Sequence, residues 1–249
     1  MLPRNALKPV CQALAPHAGF QRMLPRSDEV LLALLENRRR HRLIPRTAEN
    51  ARGGARSHPH RLAHLRWSFK MYADTLTWGH GPRTVEVFLE PTCPFSVKAF
   101  NKLDDLLAQA GPERITLKIR LQSQPWHLFS GVVVRCVLAA ATLDGGKDSA
   151  KAVLAAVAAH REEFEFKDHA TGPNRDATPN DLIARLEGYS GLALADAFAN
   201  PDLQHAIKWH CKYARQNGIH VSPTFMLDGL VQPDMSSGDS VADWIARLG

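Results

Sequence analysis

The segment that most constrains this chain runs from Thr84 to Ser96 and reads Thr-Val-Glu-Val-Phe-Leu-Glu-Pro-Thr-Cys-Pro-Phe-Ser. Val85, Val87 and Leu89 alternate with Glu86, Phe88 and Glu90, which is the period of a strand with apolar or aromatic residues on both faces. Pro91 ends the strand, and Cys93 opens a helix with Pro94 just inside it. Proline suits that position because its missing N–H would be unpaired there anyway. Phe95, Ala99, Phe100, Leu103, Leu106, Leu107 and Ala110 recur at three- and four-residue spacing, so one helix is expected up to Gly111-Pro112. A cysteine at a helix start faces unpaired N–H groups and the positive end of the dipole. Both favour the thiolate and make the sulfur nucleophilic.

A second segment belongs with the first. Near the C-terminus the chain reads Gly218-Ile219-His220-Val221-Ser222-Pro223-Thr224-Phe225-Met226-Leu227-Asp228-Gly229. A strand followed by Cys-Pro and a helix, then Val-Ser-Pro-Thr-Phe and an Asp-Gly turn, resembles the thioredoxin superfamily. The long helical stretch between the two makes the chain similar to its DsbA-like branch, from about Arg83 onward. The resemblance implies an α/β thioredoxin-like fold with a helical insertion. It also implies that Pro223 is cis and faces the active-site cysteine, and that Pro94, Phe95 and Ser222 line a substrate groove.

The sequence departs from the family pattern at one position. Family members carry Cys-x-x-Cys, and here the motif is Cys93-Pro94-Phe95-Ser96. A dithiol enzyme releases its mixed disulfide when the second cysteine attacks, which Ser96 cannot do. The residues therefore permit a monothiol mechanism. One turn into the helix, the Ser96 hydroxyl is expected to donate a hydrogen bond back to the Cys93 sulfur.

The net charge of +6 conceals an asymmetry: residues 1–70 hold 14 Lys+Arg against 4 Asp+Glu, whereas the rest holds 17 against 21. Residues 1–77 are expected to be a basic, disordered extension, since only Val30 to Leu35 has the pattern of a helix. Two alternatives remain open for residues 1–70: a misassigned start, with the true one at Met71, and an organellar transit peptide rich in arginine. Arginine-based nucleic-acid binding is set aside because no aromatic residues interleave the basic ones. No secretory apolar core and no run of 18 apolar residues is visible, so no membrane partner is expected and the cytoplasm is the expected location.

The folded domain is expected over 78–249. Ile115 to Leu121 alternates as a second strand, apolar on one face and basic on the other, parallel to the first through a right-handed crossover. A helical insertion follows over about 128–217. The end of the chain is expected to form two short strands around Asp228-Gly229, then a helix with Asp239 as its N-cap. His127 lies at the C-terminal edge of the second strand, where ligands bind in open α/β sheets, and it is a candidate for substrate binding or for steadying the thiolate. A plain helix-start histidine is the competing reading. The cysteines at 11, 93, 136 and 211 have no metal-ligand spacing. Cys136 reads as a buried small hydrophobe, and Cys211 as a core or surface thiol or a remote resolving thiol.

Taken with the resemblance, these residues indicate a monothiol thiol–disulfide oxidoreductase acting through Cys93, Ser96 and Pro223. Its substrates would be mixed disulfides of a small molecule or protein, with glutathione as co-substrate and no bound cofactor. Two alternatives stand beside it: a non-redox thioredoxin-like module that binds an extended segment, and a glutathione transferase or isomerase like the kappa class. The oligomeric state is open.

Overall fold

A computed structural model describes residues 74–249 except 166, 167, 169, 170 and 172. The expected helix near Val30, Cys11 and nearly all of the basic extension lie outside the described residues.

Five strands form one mixed sheet in the order β1-β3-β2-β4-β5: β1 Thr77–Gly79, β2 Arg83–Leu89, β3 Ile115–Leu121, β4 Thr224–Leu227 and β5 Leu230–Gln232. β2 is central because both its faces are apolar enough to be covered. It pairs parallel with β3 over its full length and antiparallel with β4. Two helices make the crossover between the parallel pair, α1 Pro94–Phe100 and α2 Leu103–Ala110. β4 and β5 join through Asp228-Gly229 with φ of 47° and 83°, the two positive values a two-residue hairpin needs. Asp228 also accepts from the Thr84 N–H at 2.7 Å and from Arg83 Nε at 2.6 Å, which ties the hairpin to β2.

The longer helices that follow β3 are α3 Ser130–Ala140, α4 Lys147–Ala159 and α5 Pro179–Ser190. They pack on one another through Val133, Val137, Val153, Val157, Leu182 and Leu186, all buried. Thr178 and Asp181 close a reciprocal capping box on α5, and Gly191 ends it in the left-handed conformation. The chain returns through α6 Leu203–Gln216. Val85, Val87 and Leu89 join the large core that includes these helices, α2 and Trp244. Phe88 and Met226, on the other face of the sheet, pack against Ala214, Ile219 and Tyr213 beneath α6. Burying a side chain such as Phe88 is worth about 1.5–3 kcal/mol.

Four details differ from the sequence-based expectation or add to it. The crossover helix is broken at Asn101-Lys102, because Lys102 Nζ donates to the carbonyls of Ser237 and Asp239 at 2.8 and 2.6 Å. Those bonds hold the backbone away from a continuous helix, and α2 restarts with Asp104 and Asp105 in its first turn. The closing helix, α7 Val241–Ala246, is capped by Ser240 in a capping box with Asp243, and Asp239 instead accepts from the Ser236 N–H. β1 adds an antiparallel edge strand on β3 that three residues were too few to announce. Finally, the basic face of β3, whose surroundings the sequence left open, is covered at Arg120, which is buried under α6 and paired with Glu86.

Candidate active site

The pairing of β4 with β2 sets Phe88 opposite Thr224. The residues just before Thr224 therefore sit beside the turn that follows β2, and that turn carries Cys93. Cys93 is the N-cap of α1: its carbonyl accepts from the Val97 N–H at 2.9 Å, and its own N–H donates to the Glu90 carbonyl at 3.1 Å. Its sulfur lies 3.7 Å from the Ser222 carbonyl oxygen, to which the protonated thiol donates. The Ser222–Pro223 peptide bond is cis. α1 is only seven residues long, and Cys93 stands at the start of its first turn.

Ser96 is buried, and its hydroxyl oxygen accepts the Glu90 N–H at 3.2 Å. Its hydrogen bond thus braces the turn before Cys93, instead of running to the sulfur as the sequence suggested. Pro94 and Phe95 point outward, with Phe95 63% exposed. Trp126, Leu128 and Val221 are exposed as well. These apolar side chains stand in the segments that flank Cys93, His127 and Ser222, and such grouping on a surface marks an interaction site.

His127 is placed in a cluster that the sequence did not announce. One nitrogen, Nδ1, faces Glu165 Oε2 at 3.3 Å, Glu90 Oε2 at 3.7 Å and Thr92 Oγ1 at 3.3 Å. The Thr92 hydroxyl donates to Glu90 at 2.9 Å, and Arg161 donates to the Thr92 carbonyl at 3.3 Å. Glu90 and Thr92 are fully buried, and both belong to the turn whose backbone binds Cys93. Burial pushes the Glu90 carboxyl above its ordinary value, against the pull of hydrogen bonds from Ser130 and Thr92 and the charge of His127. Two carboxylates and one imidazole therefore meet in a largely buried cluster next to the thiol loop. Glu90 continues the face of β2 that holds Glu86 and Phe88, which is the one sequence sign that it would turn inward. Nothing in the sequence links Glu165 or Arg161 to this place.

The other thiols sit elsewhere. Cys136 is fully buried in α3, and burial pushes its thiol up to about 12. Cys211 is half-buried in α6 and also raised by burial. No group of three His, Cys, Asp or Glu suited to a metal ion occurs among the described residues, and no helix among them is long and apolar enough to cross a membrane.

No protein-family model matches the sequence, and no curated protein is similar enough to match. Solved structures do match. A crystal structure from Pseudomonas syringae, provisionally described as a protein-disulfide isomerase, is 76% identical. The match covers 72% of this chain and 100% of that one, with a TM-score of 0.71. A thioredoxin-like oxidoreductase from Silicibacter pomeroyi is 18% identical over 71% of this chain and 94% of that one, with a TM-score of 0.52. The thiol-disulfide exchange protein alpha-DsbA2 from Wolbachia pipientis is 15% identical over 77% and 98%, with a TM-score of 0.50. The last two share the fold. The chain belongs to the family of the Pseudomonas syringae protein, and its fold is the thioredoxin-like one of the DsbA type. The helices between β3 and β4 are the insertion that distinguishes this fold from a bare thioredoxin domain.

Proposed function

We propose that this DsbA-like chain is a monothiol thiol–disulfide oxidoreductase that acts through Cys93 on mixed disulfides, with glutathione as co-substrate. The observation that carries it is the placement of Cys93: at a helix start, its sulfur 3.7 Å from the carbonyl before a cis proline, with a buried serine where a resolving thiol would stand. The neighbour described as a protein-disulfide isomerase supports the same chemistry.

The Cys93 thiolate attacks one sulfur of a mixed disulfide between a thiol RSH and glutathione. The bond between the substrate sulfurs breaks, RS⁻ leaves and takes a proton, and glutathione remains joined to Cys93. A second glutathione thiolate then attacks that disulfide, releasing glutathione disulfide and the Cys93 thiolate. One disulfide is consumed and one formed, so the electrons balance without another reductant. Ser222 and Pro223 would border the groove that holds the extended substrate beside the sulfur, with Pro94 and Phe95 at its rim. Such turnover needs a supply of external thiol, as in a reducing compartment like the cytoplasm.

The test is glutathione-dependent reduction of a glutathionylated peptide by the full chain and its single-cysteine variants. Cys93→Ala should abolish turnover, while Cys136→Ala and Cys211→Ala keep most of it. If Cys211→Ala is as damaging as Cys93→Ala, the monothiol assignment fails and Cys211 is the resolving thiol. A wild-type protein that does not turn over at all would favour a binding module.

A further inference from the structure

A second feature beside the thiol is a cleft of about 470 Å³ between the loop after β3 and helix α6, lined by Gln122, Trp126, Cys211, Arg215, Ile219 and His220. Its volume lies in the range of small-molecule sites, roughly 300–1,000 Å³. We propose that this cleft holds the peptide part of the thiol conjugate whose sulfur reacts at Cys93: a short peptide bearing a carboxylate. The proposal rests on the thiol–disulfide function above and adds where, and by what chemistry, the rest of the substrate is bound.

Position makes the first argument. The cleft is walled by the two segments that also meet the thiol loop. Trp126 precedes His127, which contacts Thr92, and His220 lies two residues before Ser222, which contacts Cys93. Gln124 Nε2 donates to the His220 carbonyl at 3.4 Å and ties the two segments together. Two residues of extended chain span at most ~7 Å, and a tripeptide roughly 10 Å. A tripeptide attached through its cysteine to Cys93 therefore has the length to enter.

Chemistry makes the second. Gln122 is more than nine-tenths buried, and its Oε1 is an acceptor without a donor. A ligand N–H would meet it once the side chain turns toward the cleft, and a buried acceptor left unmet is costly. Arg215 donates through Nε to the Cys211 carbonyl at 3.2 Å but has no carboxylate partner among the described residues. Its exposed guanidinium is a forked donor for a carboxylate. Trp126, 59% exposed, and buried Ile219 supply apolar walls. An acceptor inside, a cation at the mouth and an aromatic wall together fit an anionic peptide better than an apolar one. Two sources share that chemistry, a free γ-glutamyl tripeptide thiol and an acidic segment around a cysteine in a protein.

Cys211 is a built-in reporter, because it is one of the residues that line the cleft. The experiment measures N-ethylmaleimide modification of Cys211 in the full chain carrying Cys93→Ser. The probes are S-methylglutathione and the α-linked peptide acetyl-Glu-Cys(S-methyl)-Gly, neither of which can form a disulfide. At millimolar concentration one or both should slow Cys211 modification by about threefold or more, and Arg215→Ala should weaken the protecting ligand by about tenfold. Protection by S-methylglutathione alone assigns the free thiol as the source, and protection by the α-linked peptide assigns protein segments. Absence of protection by both probes, or protection unchanged in Arg215→Ala, overturns the proposal. Exchange of Cys93 with 2-hydroxyethyl disulfide, which has no peptide part, separates the two claims. If that reaction proceeds while neither probe protects, the cleft assignment alone has failed. If it does not proceed, the thiol–disulfide function has failed, and the protection assay still decides the cleft.

Discussion

Two buried glutamates stand four residues apart, Glu86 in β2 and Glu90 in the turn that follows it, and their surroundings differ in kind. Glu86 faces Arg120, with Nη2 at 2.5 Å and Nε at 2.6 Å, and its second oxygen accepts from the Tyr213 hydroxyl at 2.8 Å. The guanidinium lies 4.9 Å from the Trp209 ring centre and 5.1 Å from that of Tyr213. One negative charge meets one positive charge, and the hydrogen bonds are complete. Glu90 shares a pocket with a second carboxylate, Glu165, and a single imidazole. Burial favours its protonated form. The balanced cluster lies under α6 and holds the sheet to its helix. The Glu90 cluster lies beside the turn that carries Cys93. Two glutamates so close in sequence thus join an ion pair in one case and a carboxylate–imidazole cluster in the other.

Breaking the balanced pair should give the largest effect. Arg120→Met leaves Glu86 buried without its partner and should cost about 3–5 kcal/mol in urea unfolding, whereas adding Glu86→Leu should recover most of that loss. If the double variant is as unstable as the single one, packing rather than charge governs this region.

Next in size is a pH effect beneath the same helix. His210 is fully buried, its Nδ1 accepting the Leu121 N–H at 3.2 Å, and burial with the charge of Arg120 pushes its imidazole down to about 3. The folded state then binds fewer protons than the unfolded one between about 6.5 and 3. Stability should fall as pH falls through that window, by about 1.4 kcal/mol per pH unit from this group. His210→Gln should flatten that limb.

The thiol-side cluster should show the opposite sign. Glu90 is raised, so the folded state binds more protons than the unfolded one from about 4.5 upward, and its contribution weakens as pH rises. Glu90→Gln should therefore be at least as stable as the wild type at pH 7 and lose less stability from pH 5 to 8. A variant markedly less stable at pH 7 would mean that the carboxylate is held ionised by His127. The smallest effect is expected for Ser96→Ala, which removes the acceptor of the Glu90 N–H and should cost about 1 kcal/mol while leaving Cys93 able to exchange.

What the sequence made legible follows from how local each signal is. β2, the Asp228-Gly229 hairpin and the turn at Cys93 are written in contiguous residues, through period-two alternation and turn chemistry. The break at Asn101-Lys102 was visible only as two acids three and four residues further on, because its cause is a contact with Ser237 and Asp239. The burial of Arg120 was not legible, since a basic strand face looks the same whether or not a helix later covers it. Glu165 and Arg161 reach Thr92 and His127 across the helical insertion, and no spacing in the chain encodes that meeting. The place of Cys93 at a helix start was legible from its motif, and the carboxylates beside its turn were not.

The central claim is that Cys93 works alone. It is tested most directly by incubating the full chain with oxidised glutathione and locating the adduct by mass spectrometry of the intact protein and its peptides. The account predicts one glutathione, on Cys93, that persists as a mixed disulfide until reduced glutathione is added and is then released. A disulfide between Cys93 and Cys211, or an adduct absent from Cys93 while other thiols are modified, would contradict it.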